Sequence, residues 1–151
     1  MLRIDQGDLL LAISSHDIDH FLDVRTGDVT PLYEDMSEFA NFGDDIGADP
    51  DRYKKIEPVP SPLGFRWMEE FARRQVERQV QAALLSALER RRPFRSFKDA
   101  LAEYPAVLQS WYGFEEERQL EYAHQWLMEE GIDAELVSPN QGVPPREAPP
   151  A

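Results

Sequence analysis

The sequence predicts an α+β fold, with a small antiparallel sheet packed against a predominantly helical C-terminal part. Two observations carry this. Two strand-like runs flank a glycine turn near the N-terminus, and from Pro62 onward apolar residues recur at helical spacing, with start and stop signals at the ends of the stripes.

Taken in order, Asp5 can cap a short helix in which Leu9, Ala12 and Ile13 share one face, ending near Ser15. His20–Val24 and Val29–Tyr33 then flank Arg25-Thr26-Gly27-Asp28, where the glycine can take the positive backbone angle of a tight reversal. The pair predicts a hairpin. Pro31, having no amide to donate, sets the second strand at or near a sheet edge. From Glu34 to Asp51 there are seven acidic residues and no basic one, and Gly43, Gly47 and Pro50 break any regular period, so an acidic loop is expected over 34–51. Tyr53–Glu57 alternates weakly and predicts a further strand before Pro58 and Pro60.

Ser61-Pro62 signals a helix start through a capping hydroxyl and a proline at the first helical position, where no donor is needed. Phe65, Met68 and Ala72 form one stripe, and Val76, Val80, Ala83, Leu84, Ala87 and Leu88 another. Two helices or one bent rod are expected between Pro62 and Arg91, ended by Pro93. Ser96 with Asp99 resembles a capping pair for a short helix through Glu103, and Pro105 opens the next, which is expected to stop before Gly113. Glu115–Glu130 reads as a helix with Leu120, Ala123 and Leu127 on one face and three glutamates in its first turn, where the helix dipole favours negative charge. Gly131 supplies a left-handed cap, with Ile132 beyond it in reach of Leu127. Ala134–Val137 is expected to return as a strand to the hairpin. Five prolines among the last thirteen residues leave a tail that cannot repay its ordering entropy. The expected organisation is one domain over 1–137 and a proline-rich disordered tail over 138–151.

The chain of 151 residues is long enough to bury a core, and its sixteen Phe, Trp and Tyr residues bring the area to build it. Sixteen basic against twenty-nine acidic side chains leave a net charge of -13, which repels phosphate polymers and anionic membranes. No cysteine is present, so thiolate catalysis, disulfides and sulfur-based zinc sites are excluded. The start, Met1-Leu2-Arg3-Ile4-Asp5, has neither the charged segment nor the apolar run of an export signal, and no stretch approaches the roughly twenty apolar residues that span a bilayer. A cytoplasmic location without a membrane partner is the expectation.

Four blocks stand out along the chain: Phe21-Leu22-Asp23-Val24-Arg25-Thr26-Gly27-Asp28-Val29, Met68-Glu69-Glu70-Phe71, Pro93-Phe94-Arg95-Ser96-Phe97-Lys98-Asp99-Ala100-Leu101, and Trp111-Tyr112-Gly113-Phe114 leading to Trp126-Leu127. In order and spacing they resemble the bacterial group called uncharacterised protein family 0158, over roughly residues 8 to 137. The resemblance implies an intracellular bacterial protein of one domain. It transfers no activity, ligand or catalytic residue.

The basic residues concentrate in one place. Arg90, Arg91, Arg92, Arg95 and Lys98 are interleaved with Phe94 and Phe97, and Trp111 and Tyr112 lie further on. Guanidinium forks match oxyanions, and exposed rings stack on bases or fill pockets, so Arg90, Arg91, Arg92, Phe94, Arg95, Lys98, Trp111 and Tyr112 are the candidate binding residues. The bland alternative is also physical: cations offset a helix C-terminal dipole, and Phe94 with Phe97 suits a core-facing turn. His16 and His20 are four apart, a metal-binding spacing only if both lie on one helix, and no third ligand is specified. Asp44, Asp45, Asp49 and Asp51 lack the spacing of a calcium loop and its closing glutamate. Nucleophile-elbow, dinucleotide and phosphate-loop motifs are missing, and nothing selects a catalytic pair among the carboxylates. No cofactor is expected. The reading is a non-enzymatic module that binds another protein. The alternatives are nucleic-acid or phosphate-ligand binding through Arg90–Lys98, and a hydrolase using unidentified carboxylates.

Overall fold

A computed structural model of the chain describes residues 1–33 and 40–138. The proline-rich tail and the first part of the acidic segment lie outside the described residues. The chain is α+β and divides into two compact units, Met1–Pro58 with Ala123–Ala151, and Val59–Tyr122.

The first unit holds the strands. β1 (Leu2–Asp5) leads directly into α1 (Gln6–Ser14), because the Asp5 carboxylate accepts the Asp8 amide at 2.9 Å and caps the helix start. Leu9, Ala12 and Ile13 are buried along α1, the stripe that their spacing predicts. β2 (Asp19–Asp23), β3 (Val29–Leu32) and β4 (Tyr53–Lys55) form an antiparallel sheet in the order β3-β2-β4. Pro31 sits on edge strand β3, opposite His20. Gly27 turns the hairpin at φ 87°, and a side chain there would meet the carbonyl oxygen of Arg3 at 2.1 Å, so the site needs glycine both for its angle and for its clearance.

Two expectations are corrected in this unit. Ala134–Val137 does form a strand, β5, but it pairs in parallel with β1 and not with the hairpin, placing Leu2 beside Ala134 and Ile4 beside Leu136. The missed partner carried a signal, since Leu2 and Ile4 alternate with Arg3 and Asp5 and Ile4 is fully buried. Ala40–Ala48, within the segment read as loop, is a helix, α2. Two glycines weaken a helix by roughly 1 kcal/mol each, and the helix forms in spite of them, with Ile46 half-buried and a Leu32 methyl of β3 standing 3.9 Å from where a side-chain carbon on Gly43 would be.

The second unit is helical: α3 (Ser61–Arg73), α4 (Arg78–Leu88), α5 (Pro93–Ala102) and the larger part of α6 (Pro105–Glu129). Of the two forms expected between Pro62 and Arg91, the separate helices are found. Ser61 does not cap α3, for Pro60 holds the cap position without a side-chain bond, while Pro62 occupies the early position proline tolerates. Val76, read as part of a buried stripe, is fully exposed in the α3–α4 connection, where the Gln81 amide group donates to the carbonyls of Arg73 and Gln75. α5 begins at Pro93, so Ser96 is inside the helix and not at its cap. The expected break at Gly113 is absent: α6 runs on for 25 residues, and the three glutamates read as a first turn are mid-helix. One glycine costs a helix about 1 kcal/mol, less than the burial of Trp111 returns. The end of α6 is as its sequence specifies, with Gly131 at φ 70° and the Ile132 and Gly131 amides donating to Leu127 and Met128 at 2.9 and 3.1 Å.

Candidate functional site

The basic segment lies where α4 hands over to α5. Leu84, Ala87 and Leu88 bury one side of α4, and its last turn closes through the amides of Glu89 and Arg90 on the carbonyls of Ser86 and Ala87. Arg90, Arg91 and Arg92 form the connection, Pro93 opens α5, and Phe97 and Leu101 anchor that helix in the core. With Phe97 facing inward, Arg95 and Lys98 face out, and all five cations are exposed. Among the described residues, no carboxylate lies within ion-pair distance of Arg90, Arg91, Arg92 or Arg95.

Phe94 belongs to this surface. The residue is 41% exposed, and one edge of its ring lies 3.4 Å from where a side-chain carbon on Gly64 of α3 would stand, so the ring lies beside α3 and remains open to solvent. Lys98 bears on the half-buried carboxyl of Glu115: burial raises that group above the ordinary glutamate range, and the ammonium opposes the shift.

The other rings divide sharply. Trp111 is only 3% exposed and meets Phe71 and Phe97 edge-on at 5.3 and 5.1 Å, with Phe114 stacked at 5.8 Å. As a binding residue Trp111 is therefore corrected to a packing residue, because no face of its indole is left for a ligand. Its neighbour Tyr112, 52% exposed, points the other way from α6.

A second set of charges, not singled out by sequence, is fully engaged. Glu70 receives Arg74 at 3.1 Å and also Arg118, and both guanidinium groups lie over the Phe114 ring, at 5.5 and 4.8 Å from its centre. The i,i+4 spacing of Glu70 and Arg74 was the available signal; Arg118 is 48 residues from Glu70 and had none. The contrast with Arg90–Lys98 is internal to one unit: some of its cations are locked to carboxylate and ring, and others are left open.

His20 lies on β2, buried, with Nδ1 3.1 Å from the Ile18 carbonyl, and His16 precedes the strand, so the two imidazoles share no helix face. No cluster of three metal-ligating side chains occurs among the described residues. Asp44 and Asp45 are on α2, and Asp49 is 3.6 Å from Arg25. No helix of the described residues is long and apolar enough to cross a membrane.

Charge is segregated between the units. Val59–Tyr122 carries ten basic and ten acidic side chains, so the whole net charge of -13 belongs to the first unit. The helical unit thus contributes nothing to the net negative charge of the chain.

Fold and surface define an α+β protein whose helical unit is built on a cluster of aromatic rings and bears a basic patch beside them. The chain belongs to the uncharacterised protein family UPF0158, whose model matches residues 2–141. It is 33% identical over 145 residues to the UPF0158 protein PA5073 of Pseudomonas aeruginosa, an alignment covering 95% of this chain and 94% of that one. No solved structure matches the chain.

Proposed function

We propose that this protein is a non-enzymatic cytoplasmic module that binds another protein through the surface made by Arg90, Arg91, Arg92, Phe94, Arg95 and Lys98. One observation carries the reading: exposed guanidinium groups without a carboxylate partner among the described residues, next to a partly exposed ring, in a unit that pairs other arginines closely. Arginine and aromatic side chains dominate the binding energy of protein interfaces, and a guanidinium fork offers a partner two parallel bonds. The test is affinity capture from a bacterial host, comparing the wild type with the R91E/R92E/R95E variant. A protein recovered with the wild type and lost with the variant supports the proposal; equal recovery places binding elsewhere.

Nucleic acid is the second reading, and the absence of any net negative charge in the sequence of the helical unit itself favours it. Against it stands the burial of Phe97 and Trp111, which removes the successive stacking rings a single strand uses. Salt-sensitive binding of a short oligonucleotide, abolished by R91E/R92E/R95E, would put it first.

A further inference from the structure

Resting on that reading, we infer that the occupant of the Arg90–Lys98 surface is an acidic polypeptide segment carrying an apolar side chain, with Phe94 as the apolar anchor and the arginines as the carboxylate readers. The backbone that carries Phe94 is held before any partner arrives, because Phe97 and Leu101 of the same helix are fully buried, so the segment itself has little freedom to lose on binding. Arg91, Arg92 and Arg95 flank it within one helical turn, all exposed and none paired with a described carboxylate. A purely ionic ligand would leave the ring wet, and a purely apolar one would leave the arginines unanswered. A segment of aspartate or glutamate interrupted by leucine or phenylalanine satisfies both.

Two other occupants fit less well. A phosphate polymer extends past five cations, and only Phe94 of the interleaved rings is open to stack on its bases. A second copy of this chain brings its own charge of -13, and a basic patch of one copy meeting an acidic segment of the next is a head-to-tail contact that does not close unless the geometry happens to form a ring.

The experiment uses the full chain and fluorescence anisotropy at physiological salt with three labelled probes of equal charge: an Asp/Glu peptide interspersed with leucine, a polyglutamate peptide, and a single-stranded oligonucleotide. The leucine-containing peptide is expected to bind tightest. Phe94→Ala should weaken it about tenfold while leaving the weaker polyglutamate affinity unchanged, and Phe94→Leu should restore most of the loss. R91E/R92E/R95E should abolish both, and R91K/R92K/R95K should weaken both by removing the forks. Thermal melts of each variant confirm folding. The inference is overturned if the oligonucleotide binds tightest, if Phe94→Ala changes nothing, or if sedimentation shows concentration-dependent self-association lost in R91E/R92E/R95E. If capture from the host is lost with that variant yet the peptide does not bind, the site stands and only its ligand chemistry fails.

Discussion

Arg52 closes a forked hydrogen bond on the buried carboxylate of Asp23, its Nε 3.0 Å from both oxygens and its Nη2 2.8 Å from Oδ2. The same carboxylate accepts the amides of Arg25 and Thr26 at 2.9 and 3.3 Å. One side chain at the end of β2 thereby fixes the hairpin turn and the residue that leads into β4, and it brings together parts of the chain 29 residues apart.

That pairing predicts an acid-sensitive stability. The Arg52 hydrogen bonds, helped by the turn amides and opposed by burial, hold the Asp23 carboxyl at about 2, below its ordinary 3.8. A carboxyl with a depressed folded value stabilises above its unfolded value and loses that contribution as pH falls through the folded one. Asp23→Asn should therefore destabilise by on the order of 2 kcal/mol at neutral pH, read by urea melts. The gap from the wild type should shrink as pH drops from 3.8 toward about 2. A gap that does not change with pH would show that the charge of Asp23 is irrelevant.

Adjacent residues of α6 are expected to respond in opposite ways. Trp111→Ala removes the ring on which Phe71, Phe97 and Phe114 converge and should cost roughly 3–5 kcal/mol, enough to collapse the helical unit. Tyr112→Ala, on the exposed side, should stay within about 0.5 kcal/mol of the wild type. Denaturant melts followed by far-UV circular dichroism separate the two, and equal losses would contradict the burial pattern.

Local rules made much of the fold legible in the sequence. The Asp5 cap, the Gly27 turn, the edge proline Pro31 and the Gly131 cap each depend on a few neighbouring residues, and each is found. Distant partners were not legible: β1 with β5, Glu70 with Arg118, and the cluster that keeps α6 continuous through Gly113. The exposed arginines followed from charge alone, but the fate of Phe94, Phe97 and Trp111 did not, because three aromatic residues in similar helical text end up with one ring outside and two inside. The resemblance blocks gain a physical meaning here, since Phe71, Phe97, Trp111 and Phe114 come from three of them and pack together.

Two glycines should show opposite signs. Gly113 is mid-helix with open space where a side chain would stand, so Gly113→Ala should stabilise by about 0.5–1 kcal/mol. Gly27 combines φ 87° with the Arg3 carbonyl at 2.1 Å from a would-be side chain, so Gly27→Ala should destabilise by more than about 2 kcal/mol as turn and strand are forced apart. Thermal melts of the two variants check both signs, and a neutral Gly27→Ala would mean that the hairpin turn shifts freely.

Glu70 offers a test of how much an engaged arginine contributes. Arg118 is the more sheltered of its two partners, with a side chain 22% exposed against 61% for Arg74, and it lies nearer the Phe114 ring. Shelter reduces solvent screening, so the same carboxylate should couple more strongly to Arg118 than to Arg74. Double-mutant cycles with Glu70→Gln are expected to give about 1 kcal/mol for the Arg118→Met pair and about 0.3 kcal/mol for Arg74→Met. Added salt should erode the Arg74 coupling first. Couplings of equal size, or a larger one to Arg74, would show that Glu70 acts through the surface field and not through the closed contact above Phe114.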